Sequence, residues 1–474
     1  MVYTWRMVRT RIAPSPTGLD LHIGNLYTAL INWVWAHKNN GQFIVRIEDT
    51  DRTRFIEGSE KNILNSLDSF GLIPDEDTRI GGPYAPYRQS ERLHMYHTYT
   101  QELLTNKHAY YCFCTQERLS TLRAQQQKEK KQPKYDRHCL PLTEKEIAEK
   151  LNKKIPYVVR LHIPDGETTF SDSIRGTITI QNDVLDDQVL LKSDGFPTYH
   201  LAVVIDDHLM KITHIIRGEE WLSSTPKHVL LYRAFGWDLP IFAHSPILRN
   251  PDKSKLSKRK NPVWASWYLA QGYLPEAVLN YFALMGWSHP QQKEIFSLEE
   301  FIQVFALKDL QPVGPVFDVT KLEWMNGMYI RKLKIIDLKL KIIEYEKKYN
   351  KRELEPKLVE RSIPLIQERI KKLSNYWNLC AFFFQKPQQY EMNLADKKEV
   401  LKDIASEINN VDTWNAHTIS SHMEKIVQKH GLSNSAFFML LRVVITGKKI
   451  SPPLNESMEL LGKEECVARI NLFC

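Results

Sequence analysis

The spacing of apolar residues changes twice near the start of the chain. Met7–Ala13 and Phe43–Ile47 are short apolar runs compatible with strands, whereas Gly24–Lys38 carries its apolar residues at helical spacing. Two prolines and a glycine in Pro14–Gly18 predict a loop before that helix. A strand, a helix and a strand in so short a stretch predict a parallel sheet of the Rossmann kind with a right-handed crossover.

The apolar pattern returns in the middle of the chain. His200–Ile205 is continuously apolar after its histidine and predicts a buried strand, Ile212–Arg217 predicts another strand, and a helix is expected from about Ser224 to Phe235. Beyond about residue 265 the pattern is mostly helical. Arg331–Arg352 combines helical apolar spacing with nine Lys or Arg and three acids.

Residues 89–195 differ from both of these regions and are interpreted as an insertion between two halves of the sheet. They hold three cysteines, the basic stretch Arg123–Arg137, and short β-like runs at Tyr157–His162 and Thr177–Gln181. The predicted domains are a first half of the sheet domain (1–88), an inserted domain (89–195), a second half of the sheet domain (196–250), a lysine-loop region (251–330) and a helical C-terminal domain (331–474).

Composition narrows the class of protein. The 474 residues are 43% hydrophobic and 25% charged, which are ordinary globular values. The net charge of +8 permits a polyanionic partner without demanding one. No apolar run approaches the roughly 20 residues of a spanning helix. Six cysteines in this length do not form a disulfide framework. We therefore expect a cytoplasmic protein with no membrane partner.

The first motif with chemical meaning is Leu21–Asn25, at the predicted loop-to-helix junction. A helix N-terminus offers unpaired N–H groups and a positive dipole end, which suit a phosphate. Gly24 allows close approach of a ligand, and His22 can add a hydrogen bond or a positive charge. Taken alone, such a His and Gly more often cap a helix.

The second motif is the loop Asp252–Lys260, which has five cations in eight residues with Ser257 among them. A mobile lysine loop can close on a triphosphate and neutralise the charge that spreads over the transferred group. Taken alone, this pattern more often marks a solvated basic loop or a localisation-like patch.

Together, the two motifs resemble the paired signatures of class I aminoacyl-tRNA synthetases. The chain departs from them at Asn25, Leu256 and Arg259, where the family has His, Met and Ser. An ordered set of further segments resembles bacterial and organellar glutamyl-tRNA synthetases: Arg9–Gly18, Val45–Asp51, Tyr87–Glu91, Leu190–Gly195, Arg217–Trp221, Trp324–Gly327 and Leu461–Glu464.

This resemblance implies an α/β Rossmann-like catalytic domain with an inserted α+β acceptor-binding domain, followed by mostly helical C-terminal domains. It implies ATP-dependent attachment of L-glutamate to tRNA-Glu through a glutamyl-adenylate. Mg²⁺ is expected because it accompanies ATP. We expect a monomer whose partners are tRNA-Glu, L-glutamate and ATP.

The resemblance also assigns residues to roles. For the triphosphate transition state it points to His22, Lys255 and Lys258. For glutamate it points to Arg11, Ser15, Glu48, Tyr199 and Arg217, with Arg217 at the side-chain carboxylate. For the nucleotide it points to His22, Gly24, Asn25, Glu220, Trp221, Leu248 and Lys258. Alternatively, Arg217 forms a structural ion pair with Glu219 or Glu220, and Trp221 and Leu248 are ordinary core residues.

Some relatives hold zinc with a Cys-x-Cys and a Cys-x-His pair. Here Cys112, Cys114 and Cys139 are present, but Pro141 stands where the histidine belongs. His138 or Tyr135 could supply a fourth ligand, although His138 is adjacent to Cys139, which makes tetrahedral ligation awkward. Zinc is therefore an open possibility.

Four alternatives differ from the leading interpretation. A glutaminyl-tRNA synthetase would carry a β-barrel anticodon region, which the helical C-terminus does not suggest. A shorter relative that glutamylates a modified tRNA base lacks the anticodon region. A nucleotidyltransferase of another class would not need the lysine loop or the basic helical region. A non-catalytic tRNA-binding protein would be expected to have lost His22 or the lysines.

Overall fold

The computed structural model describes residues 7–254, 256 and 263–474. The chain divides into two compact units. The first comprises Met1–Trp267 and Leu279–Asp318, and the second comprises Tyr268–Val278 and Val319–Cys474. No helix in the part of the chain that the structure describes is long and apolar enough to cross a membrane.

The strands of the first unit form three sheets, with the orders β1-β2, β3-β4-β7 and β6-β5-β9-β8. Their bounds are β1 (Arg9–Ile12), β2 (Gln42–Val45), β3 (Ala109–Cys112), β4 (Val158–Leu161), β5 (Glu167–Asp172), β6 (Gly176–Gln181), β7 (Val189–Leu191), β8 (His214–Gly218) and β9 (Ile241–Ser245).

The α-helices follow one another along the whole chain. Those before residue 319 are α1 (Ile23–Lys38), α2 (Ser59–Ser69), α3 (Leu93–Thr105), α4 (Gln116–Lys128), α5 (Glu144–Asn152), α6 (Tyr199–Leu209), α7 (Thr225–Ala234), α8 (Ala265–Ala270), α9 (Pro275–Ala283) and α10 (Leu298–Val304). The rest are α11 (Val319–Lys332), α12 (Ile335–Asn350), α13 (Pro356–Ile366), α14 (Asn375–Phe384), α15 (Lys398–Asn409), α16 (Ala416–His430), α17 (Asn434–Thr446), α18 (Leu454–Leu461) and α19 (Lys463–Ile470).

Two parallel crossovers build the catalytic core. β1 and β2 are parallel, with Arg9 opposite Gln42 and Ile12 opposite Val45, and α1 connects them. β8 and β9 are likewise parallel and are connected by α7. The first crossover therefore forms as the sequence predicts, because its apolar spacing changes from strand to helix and back. In the second crossover the sequence predicts β8 and α7 but not β9.

The strand predicted over His200–Ile205 is wrong, because this run lies inside α6. Leu201 through Ile205 are at most 1% exposed, so the helix is covered on every side. A short apolar run has the same appearance in a buried strand and in a fully buried helix, and period alone does not separate them.

The hairpin β5–β6 joins the sheet of the second crossover, since Asp172 at the end of β5 pairs with Phe242 of β9. This hairpin lies within residues 89–195, which the sequence assigns to an insertion. The antiparallel sheet β3-β4-β7 is formed by that region alone. The predicted domain boundaries stay a prediction.

The second unit is helical throughout its described residues, as its sequence predicts. One core packs α11–α14 around Ile342, Ile363 and Tyr376. A second core packs α15–α19 around Leu401, Met423 and Leu441. Amphipathic helices bury their apolar faces in these cores and leave lysines and arginines on the outside.

Candidate active site

A cavity of about 930 Å³ lies in the first unit at the carboxyl ends of the parallel strands β1, β2 and β8. This is the edge at which open α/β sheets bind ligands. The structure brings together on its lining eleven of the residues assigned from the sequence: Arg11, Ser15, His22, Gly24, Asn25, Glu48, Tyr199, Arg217, Glu220, Trp221 and Leu248.

His22 is the N-cap of α1. Its Nδ1 accepts a hydrogen bond of 3.0 Å from the backbone N–H of Gly24, and its backbone is extended. A neutral His22 ring therefore carries its proton on Nε2, where it can donate to an anion. No acidic residue stands in the first turn of α1, so nothing there offsets the positive helix end. The capping interpretation and a phosphate-binding role are thus compatible.

The lysine loop reaches the same cavity through a residue that the structure describes. Leu256 is buried on the cavity wall, and its N–H donates to the carbonyl of Leu248 at 3.3 Å. Before it, the N–H of Asn250 donates to the carbonyl of Ser254 at 2.8 Å, which turns the chain back. Lys255 and Lys258 lie outside the described residues.

Arg217 is the penultimate residue of β8 and is 5% exposed. Its guanidinium donates to Nε2 of His244 (3.1 Å), to Nδ1 of His228 (3.2 Å), to the hydroxyl of Tyr199 (3.1 Å) and to Oγ1 of Thr225 (2.9 Å). Among the described residues, no carboxylate forms an ion pair with it. The alternative of a structural ion pair with Glu219 or Glu220 is therefore wrong.

Arg11 lines the same cavity, but it is paired. Its Nε and Nη2 both lie 3.0 Å from the carboxylate of Asp207. Arg46 donates to the other side of this network, at 2.8 Å from Asp207 and 3.1 Å from Glu48. Burial opposes ionisation of Asp207, yet Arg11 and Arg46 hold its pKa below the usual value.

Glu48 is buried, and burial raises its pKa to about 7 despite the attraction of Arg46. The network extends to Asp206, which pairs with Arg92 at 2.7 Å and accepts from Tyr96 at 2.9 Å. Burial also raises the pKa of Tyr199, so its hydroxyl stays protonated and can both accept from Arg217 and donate to a ligand.

Trp221 stacks against Tyr199, with their ring centroids 4.2 Å apart. Both rings line the cavity, as does Leu248, which is 3% exposed. The wall predicted to border the adenine is therefore continuous with the wall around Arg217.

Comparison with known proteins decides the family. Residues 7–324 match the family described as tRNA synthetases class I (E and Q), catalytic domain, and residues 332–474 match the anticodon binding domain family. A glutamate–tRNA ligase of Acidothermus cellulolyticus is 47% identical over 98% of this chain and 94% of its own length. The chain belongs to the glutamate–tRNA ligase family. A second glutamate–tRNA ligase, of Dehalococcoides mccartyi, is 43% identical over 98% of this chain and 97% of its own length.

Solved glutamate–tRNA ligase structures agree in fold. One from Elizabethkingia meningosepticum, in complex with its amino acid, superimposes with a TM-score of 0.87 at 37% identity and covers 98% of both chains. The class I fold predicted from the sequence is confirmed. The glutaminyl alternative is not favoured, because the relatives over nearly the whole chain are glutamate–tRNA ligases.

Several charged residues of this glutamate–tRNA ligase site were not assigned from the sequence. Arg46 sits between valine and isoleucine at the end of β2, and Asp206 and Asp207 follow the apolar run of α6. Buried charges are paired almost without exception. Charges inside apolar runs were therefore a usable signal, although their partners lie more than 100 residues away in sequence.

The three cysteines of the catalytic-domain match also lie together. The sulfur atoms of Cys112, Cys114 and Cys139 are all within 4.8 Å of one another. The hydroxyl of Tyr135 lies 3.3 Å from both Cys112 Sγ and Cys114 Sγ. His138 is exposed, and the structure does not bring it into this group. Of the two candidate fourth ligands, the structure therefore places Tyr135 beside the cysteines and not His138.

Proposed function

We propose that this chain catalyses the ATP-dependent attachment of L-glutamate to tRNA-Glu through a glutamyl-adenylate. The observation that carries the proposal is one cavity that holds both a buried arginine with no carboxylate partner among the described residues and a helix N-terminus capped by histidine. The side-chain carboxylate of a dicarboxylic amino acid needs the arginine, and a nucleotide phosphate needs the helix N-terminus.

In the first step, the α-carboxylate of glutamate attacks the α-phosphorus of ATP and pyrophosphate leaves. In the second step, the terminal ribose hydroxyl of the tRNA takes the glutamyl group and AMP leaves. The chain contributes positioning and charge stabilisation to these steps. Mg²⁺ bound together with ATP would supply further neutralisation of the phosphate charge.

Arg217 would bind the side-chain carboxylate, and ionised Glu48 would bind the ammonium. Nη1 of Arg11 has no hydrogen-bond partner among the described residues and would serve the α-carboxylate, while Ser15 and Tyr199 add hydrogen bonds. The N-terminus of α1 with His22, Gly24 and Asn25 would face the phosphates. Lys255 and Lys258 would complete the triphosphate site, a role that rests on the sequence.

The rest of the chain would bind tRNA. We propose that residues 89–195 hold the acceptor end and residues 331–474 the anticodon, since both regions carry basic stretches suited to phosphate contacts. We also propose that the chain acts as a cytoplasmic monomer.

The test is aminoacylation with purified tRNA-Glu and tRNA-Gln side by side, each with glutamate and with glutamine. The expected result is charging of tRNA-Glu with glutamate, which Arg217→Ala abolishes while the variant keeps its fold. Pyrophosphate exchange measured with and without tRNA separates the other classes, because a small-molecule nucleotidyltransferase would exchange without tRNA. Charging by Arg217→Ala at the normal rate would remove this residue from the mechanism.

We further propose that Cys112, Cys114, Cys139 and the phenolate of Tyr135 hold a structural zinc ion. The three thiols supply three of the four positions of a tetrahedral zinc site, and the hydroxyl of Tyr135 lies beside them where a fourth ligand would bind. Two cations would balance its charge: Arg118 lies 3.5 Å from Cys114 Sγ, and Arg160 lies 4.0 Å from the ring centre of Tyr135.

Elemental analysis of the purified protein tests the zinc proposal. The expected content is about one equivalent per chain, which falls in Cys139→Ser and not in Cys380→Ser. Cys380 is a matched control, because it is buried in the second unit and belongs to no such cluster of described residues. A content under about a tenth of an equivalent would decide against the site.

A further inference from the structure

Within the part of the chain that the structure describes, every group that accepts from the guanidinium of Arg217 is neutral. It has five N–H donors, and four of them point at His244, His228, Tyr199 and Thr225. The fifth, on Nη2, has no partner among the described residues, and Arg217 lines the cavity. The residue is therefore fixed in orientation while its charge is left unbalanced.

A hydrogen bond on the other side of the His244 ring fixes which of its nitrogen atoms accepts from Arg217. Its Nδ1 lies 2.6 Å from Oδ2 of Asp172, so Nδ1 carries the proton and Nε2 is the acceptor. Asp172 is itself anchored by the backbone N–H groups of Ile174, Arg175 and His244. Burial lowers the pKa of His244, which keeps the ring neutral although Asp172 is close.

His228 is fixed in the opposite tautomer. Its Nδ1 accepts from Arg217, so Nε2 carries the proton and donates to Nδ1 of His200 at 3.1 Å. Burial lowers the pKa of both rings, to about 4 in His200, and Lys227 and Arg217 act in the same direction. Protonation of His228 at Nδ1 would place an N–H against an N–H of Arg217.

A carboxylate in either position would hold Arg217 as well, but it would also neutralise it. We infer that His228 and His244 are positioning residues that make the site selective for a carboxylate over an amide, because they orient Arg217 without giving it a counter-ion. The inference rests on the proposed binding of glutamate by this arginine. Glutamine would leave the buried cation uncompensated, whereas glutamate brings the missing charge.

Substitution by Asp or Asn tests this directly, because the two side chains share one shape and differ in charge. Asn at position 228 offers a neutral acceptor where Nδ1 of His228 lies, and Asp offers an anion there. We expect His228→Asp to have a KM for glutamate at least about 30-fold above that of His228→Asn, and a smaller preference for glutamate over glutamine. The KM for ATP should be the same in both variants.

A second pair of variants, at Thr225, provides the same test if the His228 variants do not fold. Thr225 is the first residue of α7, where an acidic side chain is compatible with the helix dipole, and Asp and Asn are both close to Thr in volume. The KM for glutamate of Thr225→Asp is expected to exceed that of Thr225→Asn by the same factor as in the His228 pair. Equal glutamate KM values within a folded pair would overturn the inference.

The protonation states of the two histidines can be measured in the unsubstituted protein. In ¹⁵N-histidine NMR at neutral pH, His228 should be neutral with its proton on Nε2, and His244 neutral with its proton on Nδ1. A charged His228 would overturn the inference. An unsubstituted protein that charges no glutamate would instead contradict the proposed function, so the two failures are distinguishable.

Discussion

Arg11 and Arg217 line one cavity and are almost equally buried, at 3% and 5% exposed, yet their partners differ in charge. Arg11 shares Asp207 with Arg46, and both of its contacts to that carboxylate are 3.0 Å long. Arg217 contacts only histidine, tyrosine and threonine among the described residues. Equal burial thus accompanies two different electrostatic arrangements.

The difference indicates which charges serve the fold and which serve the ligand. Around Arg11, three guanidinium groups face three carboxylates: Arg11, Arg46 and Arg92 against Glu48, Asp206 and Asp207. Such a balanced network attracts a further anion less strongly than Arg217 does, and of Arg11 only Nη1 is left for the α-carboxylate. Arg217 keeps its full charge for a ligand, and the fold bears the cost of burying it.

The largest effect is expected from Asp207→Asn. This change leaves Arg11 and Arg46 without their shared carboxylate in a fully buried position, and removing one partner of such a pair costs about 3–5 kcal/mol of unfolding free energy. Urea unfolding followed by circular dichroism measures the loss. The control is Asp68→Asn at the exposed pair with Arg79, where less than about 1 kcal/mol is expected. Equal losses at both positions would show that the buried network does not stabilise the fold.

His22 combines both roles in one ring, so two substitutions can separate them. His22→Asn keeps an acceptor for the N–H of Gly24 and loses the Nε2 donor, so we expect normal stability and adenylate formation slowed about 100-fold. His22→Gln keeps a distal donor and loses the cap, which should cost about 1 kcal/mol of stability. Thermal unfolding and single-turnover kinetics measure the two effects. A His22→Asn variant of normal activity would leave only the capping role.

Glu48 connects the balanced network to the ligand and should make binding depend on pH. Burial raises its pKa to about 7, so the carboxylate is mostly protonated at about pH 6 and mostly ionised at about pH 8. Only the ionised form attracts the ammonium of glutamate, so the KM for glutamate should fall about tenfold between these pH values. Glu48→Gln should have a higher KM that does not change over the same range. If the KM of Glu48→Gln still fell about tenfold between about pH 6 and about pH 8, the pH dependence would belong to another group.

The sequence predicts the first crossover, β8 and α7 correctly, because strand and helix periods alternate locally in Met7–Ile47 and Ile212–Phe235. It does not predict β9. It also predicts many of the residues that line the cavity, because their motifs stand at strand ends, where loops from distant segments meet. It does not predict α6 as a helix, because complete burial removes the polar face that would reveal its period. Nor does it predict that Asp207 binds Arg11, since only the tertiary fold brings these two residues together.

The smallest effect on the unfolding free energy is expected at Arg217. Arg217→Met replaces the unbalanced cation by an apolar chain of similar length. Four hydrogen bonds to neutral groups are lost, but the cost of burying a charge without a counter-ion is removed, so the unfolding free energy should change by less than about 1 kcal/mol. Arg11→Met, the matched control, should destabilise the fold by about 3–5 kcal/mol, because it leaves Asp207 with one cation fewer. If urea unfolding gave equal losses for the two variants, Arg217 would be holding the fold as Arg11 does, and its neutral partners would have no special meaning for ligand binding.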